Sequence, residues 1–168
     1  AGAGRGCGRG AGRGAGGAVA GGGGAAGRTV GGRRQGGCGR VGGAGVARRA
    51  TRSPGKRPRL VPGGVAVVGD TVWTAVDAKP KSTRSLRRLA NIEANPRVSL
   101  LVDHYEEDWS ALWWVRVDGT ARLVPVGSAE GAAGVAALVS KYPHYQAEPP
   151  PGPVVVITVD GWSSWDAR

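Results

Sequence analysis

The 168 residues carry a formal charge of +11, and 32 of them are glycine. Charge and glycine are both unevenly spread: seven of the 23 basic residues and none of the 12 acids precede Val46, which leaves +4 on the remainder. That distribution excludes a core drawn from the whole length, and no stretch is apolar and long enough for a signal peptide or a membrane span.

Residues 1–45 are almost entirely Gly, Ala and Arg, with Val19, Val30 and Val41 as the only sizeable apolar side chains. Ordering a chain costs roughly 1–2 kcal/mol per residue in backbone entropy, and this segment has too little to bury in return. A disordered tail is therefore expected over 1–45 and a single domain over 46–168. Arg-Gly runs can bind RNA, but this one has no Phe, Tyr or Trp on which bases could stack, so a solvated tail is expected and nucleic acid is not the expected partner. Cys7 and Cys38 have neither CxxC spacing nor a nearby His, which supports no metal site and no disulfide framework; a reduced, cytoplasmic setting is the expectation.

A short strand is expected over 46–51, then a turn at Ser53-Pro54-Gly55. The Val-rich run 60–68, the pair Gly69-Asp70 and the run 71–76 read as a hairpin, because a two-residue Gly-Asp link suits antiparallel strands. Ser82 or Thr83 can cap a helix in which Leu86, Leu89 and Ile92 recur at helical spacing until Asn95-Pro96 ends it. Val98, Leu100 and Val102 alternate with Ser99 and Leu101 in a strand over Arg97–His104. Trp113–Val124 reads as a long strand with a bulge or bend at Gly119. A second helix over 128–141 has Ser128 as its cap, Glu130 in its first turn, Lys141 in its last, and Pro143 to block continuation. After the Pro-rich linker 149–153, the apolar run 154–159 reads as a central strand. About six strands and two helices point to a small β-barrel with helical additions.

Outside the tail, the densest cationic cluster is Lys79-Pro80-Lys81-Ser82-Thr83-Arg84-Ser85-Leu86-Arg87-Arg88, where a strand hands over to a helix. Arg84 and Arg88 are four apart on one helical face, and Arg84 opposes the positive end of the helix dipole; both arrangements cost stability. An anion docked there reverses both costs, since helix amides, hydroxyls and forked guanidiniums make a phosphate site. The competing reading is a solvated basic face, with Leu86 and Leu89 pointing the other way. Asp103 and His104 are strand neighbours facing opposite sides, Glu106-Glu107-Asp108 reads as a solvated turn, and His144 falls in a loop. No nucleophile triad or metal-ligand spacing is evident, so no catalytic residue and no metal is assigned.

The series Lys79-Pro80-Lys81, Leu86-Arg87-Arg88-Leu89, Asn91-Ile92 and Asn95-Pro96-Arg97-Val98-Ser99-Leu100 resembles the pyridoxamine-phosphate-oxidase-like split barrels. Asp103-His104-Tyr105, Asp108-Trp109, Trp113-Trp114-Val115-Arg116, Asp118-Gly119-Thr120-Ala121 and Lys141-Tyr142-Pro143 draw the resemblance towards the actinobacterial branch that uses coenzyme F420. The resemblance implies a mainly β, six-stranded Greek-key split barrel of the FMN-binding type, with two helices, assembled as a homodimer. It implies a flavin or deazaflavin in a groove between subunits and a small-molecule substrate. Arg88 occupies the position at which the family's phosphate-contacting basic residue stands, with Arg87 beside it. Lys79, Lys81 and Thr83 would support it, the lysines reaching towards the acidic tail of coenzyme F420. Backbone around Leu60, Val61 and Pro62 would line the ring edge. The activity implied is hydride transfer from reduced coenzyme F420 to an organic acceptor. The alternatives are an FMN-dependent oxidase or reductase of the same fold and a non-catalytic cofactor-binding protein.

The chain departs from that pattern at three places. Arg49 stands where relatives commonly have an apolar residue, Gly63 and Gly64 replace further apolar residues, and Val41-Gly42-Gly43-Ala44-Gly45 replaces an N-terminal helix. A charged Arg49 on a core face carries a large desolvation cost unless it finds a partner or reaches water.

Overall fold

A computed structural model describes residues 30–78 and 87–167. Its framework is one antiparallel sheet of seven strands: β1 Ala47–Arg52, β2 Pro58–Gly63, β3 Ala66–Val68, β4 Thr71–Ala75, β5 Arg97–His104, β6 Trp113–Val124 and β7 Val154–Asp166. Helices α1 Val30–Gly43, α2 Arg87–Ala94, α3 Ala129–Lys141 and α4 His144–Ala147 pack around it. No helix among the described residues is long and apolar enough to cross a membrane.

The strand order is β2-β1-β5-β6-β7-β4-β3, so β2 and β3 are the two edges of the sheet, although only Gly64 and Val65 separate them in sequence. Seven strands laid flat would spread their edges about 29 Å apart. Gly63 and Ala66, three residues apart, can be separated by at most about 11 Å. The sheet must therefore curl until its edges approach, which makes the half-barrel. The expected run 60–68 is split at this crossing, which raises six expected strands to seven. The Gly69-Asp70 link stands, joining β3 to β4 with Gly69 at a positive φ of 61°.

Inside the curl, Val98, Leu100 and Val102 of β5 meet Val115, Val117 and Ala121 of β6, with Val72, Val155 and Ile157 opposite, all buried. Alternation made β5 and β6 readable, and both strands have the expected bounds. The register slips between Asp118 and Gly119. A Cβ at Gly119 would lie 2.6 Å from the Thr158 carbonyl oxygen and 2.8 Å from Ile157 Cγ2, so the bend requires glycine. β7 runs on past its apolar half: residues through Asp166 pair along the first half of β6 as far as Trp113.

Helix α3 begins where expected, with the Ser128 hydroxyl accepting from the Gly131 amide at 3.0 Å. Helix α1 overturns part of the expectation for 1–45, and with it the reading that residues 41–45 stand in place of an N-terminal helix, since α1 runs to Gly43. Residues within the segment read as a disordered tail form a helix that sinks Val41 fully into the core and lets Gly37 approach the Trp162 ring. Tertiary contact supplies what the Gly-rich sequence lacks in helix propensity. Cys38 on this helix is disulfide-bonded, correcting the reading that its surroundings supported no disulfide.

At the crossing, Tyr142 and Lys141 act as a clasp. The Tyr142 hydroxyl accepts from the Val65 amide at 2.9 Å and lies 3.0 Å from the carbonyl oxygens of Val65 and Gly45. Lys141 Nζ donates to the Val65 carbonyl at 2.6 Å and the Val41 carbonyl at 3.4 Å. A Cβ at Gly64 would stand 3.2 Å from the Tyr142 ring. The Gly64 departure thus has a packing reason: the tyrosine ring takes the room that a larger residue would use.

Candidate anion-binding site

Strand β1 carries arginines on both faces. Arg48 and Arg52 are exposed on the outer face, where Arg48 pairs with Asp103. Ala47, Arg49 and Thr51 are buried on the inner face, and Arg49 stands opposite Leu100 of β5 and Val61 of β2. Helix α2 covers this part of the curl, with Asn91 Nδ2 donating to Thr51 Oγ1 at 3.1 Å. One helical step back from Asn91 is Arg88, and one strand step back from Thr51 is Arg49. The contact that seats the helix therefore sets two guanidiniums towards each other.

Their charges register the proximity. Burial, and then the charge of Arg88, push the Arg49 guanidinium down to about 10. Arg88 is also lowered, chiefly by burial; Asp77 works against the shift and Arg59 adds to it. Arg59 belongs to the same face, because it stands opposite Thr51 in the β1–β2 register. Arg49 is only 7% exposed, and its Nε has no hydrogen-bond partner among the described residues. An uncompensated buried charge costs ~3–5 kcal/mol. A surface salt bridge is worth at most about 1 kcal/mol, so none elsewhere offsets this. The arrangement is costly as a fold device and favourable once an anion arrives. Three guanidiniums and one carboxylate, Asp77, leave two positive charges among the described residues at the site.

The expected site residues separate under this geometry. Arg88 is half-buried beside Arg49, whereas its neighbour Arg87 is exposed. Val61 shares the side of the sheet that Arg49 occupies; Leu60, 61% exposed, and Pro62 project from the other. Lys79, Lys81 and Thr83 lie outside the described residues. Arg59 and Asp77 were not singled out from the sequence. The signal for Arg59 was its place two residues before Val61, on the same side of a strand.

The other polar candidates stay apart from this cluster. His104 pairs with Glu106 at 3.1 Å and stacks on Trp113. Asp108 caps a short turn by accepting from the Ser110 amide at 2.9 Å. His144 opens α4 and packs at a tilt against the Tyr145 ring, a correction to its expected loop position. Among the described residues no group of three or more His, Cys, Asp and Glu is placed to hold a metal.

The profile of the pyridoxamine 5'-phosphate oxidase family matches residues 41–166. The chain belongs to this family. No curated protein matches the chain. Solved structures of the split-barrel kind do: a conserved hypothetical protein of Mycobacterium tuberculosis is 22% identical with a TM-score of 0.62, covering 78% of this chain and 82% of its own. An FAD-binding protein of Mesorhizobium loti is 21% identical with a TM-score of 0.58, covering 74% of this chain and 88% of its own. The heme storage protein HutZ of Vibrio cholerae is 14% identical with a TM-score of 0.57, over 73% and 85%. At these identities the likeness is one of fold, and it agrees with the mainly β split barrel expected from the sequence. An FAD-binding protein and a heme storage protein thus share the fold of this chain.

Proposed function

We propose that the chain is an oxidoreductase that binds a phosphorylated flavin-type cofactor, and in the finer reading reduced coenzyme F420, which gives a hydride to an organic acceptor. The observation that carries this reading is the convergence of Arg49, Arg59 and Arg88 where α2 covers β1, with a buried guanidinium nitrogen left without a partner among the described residues. Phosphate is the ligand group whose charge and acceptor geometry answer that set. By the family resemblance, Lys79, Lys81 and Thr83 would support the phosphate contact, the lysines reaching towards the acidic tail of coenzyme F420, and backbone around Leu60, Val61 and Pro62 would line the ring edge. The ring groove is closed by a second subunit in a homodimer. The cofactor supplies the hydride chemistry, and the protein's share is to anchor, orient and exclude water.

FMN is the second reading, favoured by one observation. The chain shares its fold with an FAD-binding protein, and a phosphate site by itself does not separate FMN from coenzyme F420. Titration of the full chain with coenzyme F420, FMN, riboflavin and heme, followed by quenching of its six tryptophans, tests the proposal. Saturable binding of coenzyme F420 or FMN with much weaker binding of riboflavin supports it. Binding of heme alone overturns it.

A further inference from the structure

Arg49 is one of the positions at which the sequence departs from the pattern that it resembles, and its surroundings explain little about why a cation stands there. Its neighbours on the inner face of β1 are Ala47, part of the apolar core, and Thr51, already engaged by Asn91. Across the strands it faces Leu100 and Val61, neither of which offers a side-chain acceptor. It is more than nine-tenths buried and its Nε has no partner among the described residues. On the outer face of the same strand, Arg48 has a carboxylate to pair with. A side chain held for stability would be expected to have the same.

We infer that Arg49 is a direct ligand of the bound phosphate, gripping it from the strand side while Arg88 grips it from the helix side. This rests on the proposed cofactor reading for the identity of the phosphate carrier, but not for the presence of the anion site itself. The two residues reach the anion from different elements: β1 fixes one guanidinium from below and the seating of α2 by Asn91 on Thr51 fixes the other from above. Between them an anion receives two planar forks, the geometry that suits a tetrahedral oxyanion. It also relieves the mutual repulsion of the two cations and gives the buried Nε an acceptor. The carboxylate of Asp77 acts on Arg88 and so competes with the anion for that partner, leaving Arg49 as the less shared of the two. The departure at this position thus adds a ligand that an apolar residue cannot provide.

The test uses the full chain, with inorganic phosphate as the probe and sodium chloride adjusted to hold ionic strength constant. Phosphate should raise the thermal midpoint of the wild type. Arg49→Met, close in length and uncharged, should unfold at the same or a higher temperature without phosphate and should lose most of the phosphate-dependent rise, its affinity falling on the order of 10–100-fold. Arg49→Lys, which keeps the charge but not the fork, should fall between them. A full phosphate response in Arg49→Met, or none in the wild type, overturns the inference. Should Arg49→Met fail to fold, Arg49→Lys decides: an undiminished phosphate response there overturns the fork as ligand, and a reduced one supports it. Titration of the same variants with FMN and riboflavin separates this inference from the cofactor reading. Equal FMN affinity in wild type and Arg49→Met, with riboflavin bound far more weakly, refutes Arg49 as ligand and keeps the cofactor. An Arg49-dependent phosphate response with no flavin or deazaflavin binding keeps the ligand and refutes the cofactor.

Discussion

Lys141 and Arg49 are both cations drawn into the body of this molecule, and they are treated in opposite ways. At the end of α3, Lys141 has two backbone carbonyls as acceptors and the Tyr142 ring beneath its ammonium. Where α2 covers β1, Arg49 has a second cation for a neighbour and an Nε without an acceptor among the described residues. The first arrangement is complete within the chain and holds the crossing between β2 and β3. The second is incomplete, and completing it takes a group of the opposite sign. The difference separates a cation that serves the fold from one that serves a ligand, and each half of it can be broken by measurement.

The largest effect is expected at the ligand half. Arg88→Ala should weaken binding of coenzyme F420 or FMN by about 10–100-fold, the worth of one charge-assisted hydrogen-bonded contact, with the urea midpoint unchanged or raised because a repulsive neighbour of Arg49 is gone. Unaltered affinity would remove Arg88 from the site. At the fold half the pattern reverses. Tyr142→Phe deprives the Val65 amide of its acceptor and should cost ~1–3 kcal/mol of unfolding free energy, read by urea denaturation, while phosphate affinity stays as it was. A loss of affinity equal to that of Arg88→Ala would merge the two regions into one.

A smaller effect follows from the position of Lys141. Burial pushes its ammonium down to about 8 from an ordinary 10.5. Between those values the folded protein has released a proton that the unfolded chain still holds, so the contribution of Lys141 to stability rises with pH across that window. Urea midpoints of the wild type should therefore climb relative to those of Lys141→Met between about pH 8 and 9.5, below the range of Tyr142, which burial raises. Parallel curves would show that Lys141 stays charged throughout. The smallest effect belongs to Arg87→Ala: exposed beside Arg88, it should change cofactor affinity by no more than about threefold, the scale of a screened surface charge.

Much of the fold was legible because the relevant signals are local. Alternation marked β5 and β6, Ser128 and Pro143 marked α3, and Gly69-Asp70 marked the β3–β4 link. The extension of β7 was hidden because Asp160 and Gly161 interrupt its apolar run, and only pairing with β6 keeps residues 160–166 extended. Helix α1 was hidden because glycine opposes helix formation and its support comes from Trp162 and the core, far along the chain. The site divides in the same way. Arg88 was legible from charge placement at a helix start. Arg49 was visible as an anomaly, but its role depends on a helix about 40 residues away. Arg59 carried only a faint signal, its place two residues before Val61, and nothing in its neighbourhood reveals that it stands across from Thr51.

The two-residue passage through Gly64 and Val65 has a consequence for how the molecule comes apart. Because it joins the outermost strands covalently, neither margin of the sheet can peel away without dragging the other, and neither offers a long free template to a passing chain. A protease cut or a flexible insertion at this point would remove that tether while leaving every strand pairing formally possible. The altered protein would be expected to fray from both margins at once and to become prone to edge-to-edge aggregation.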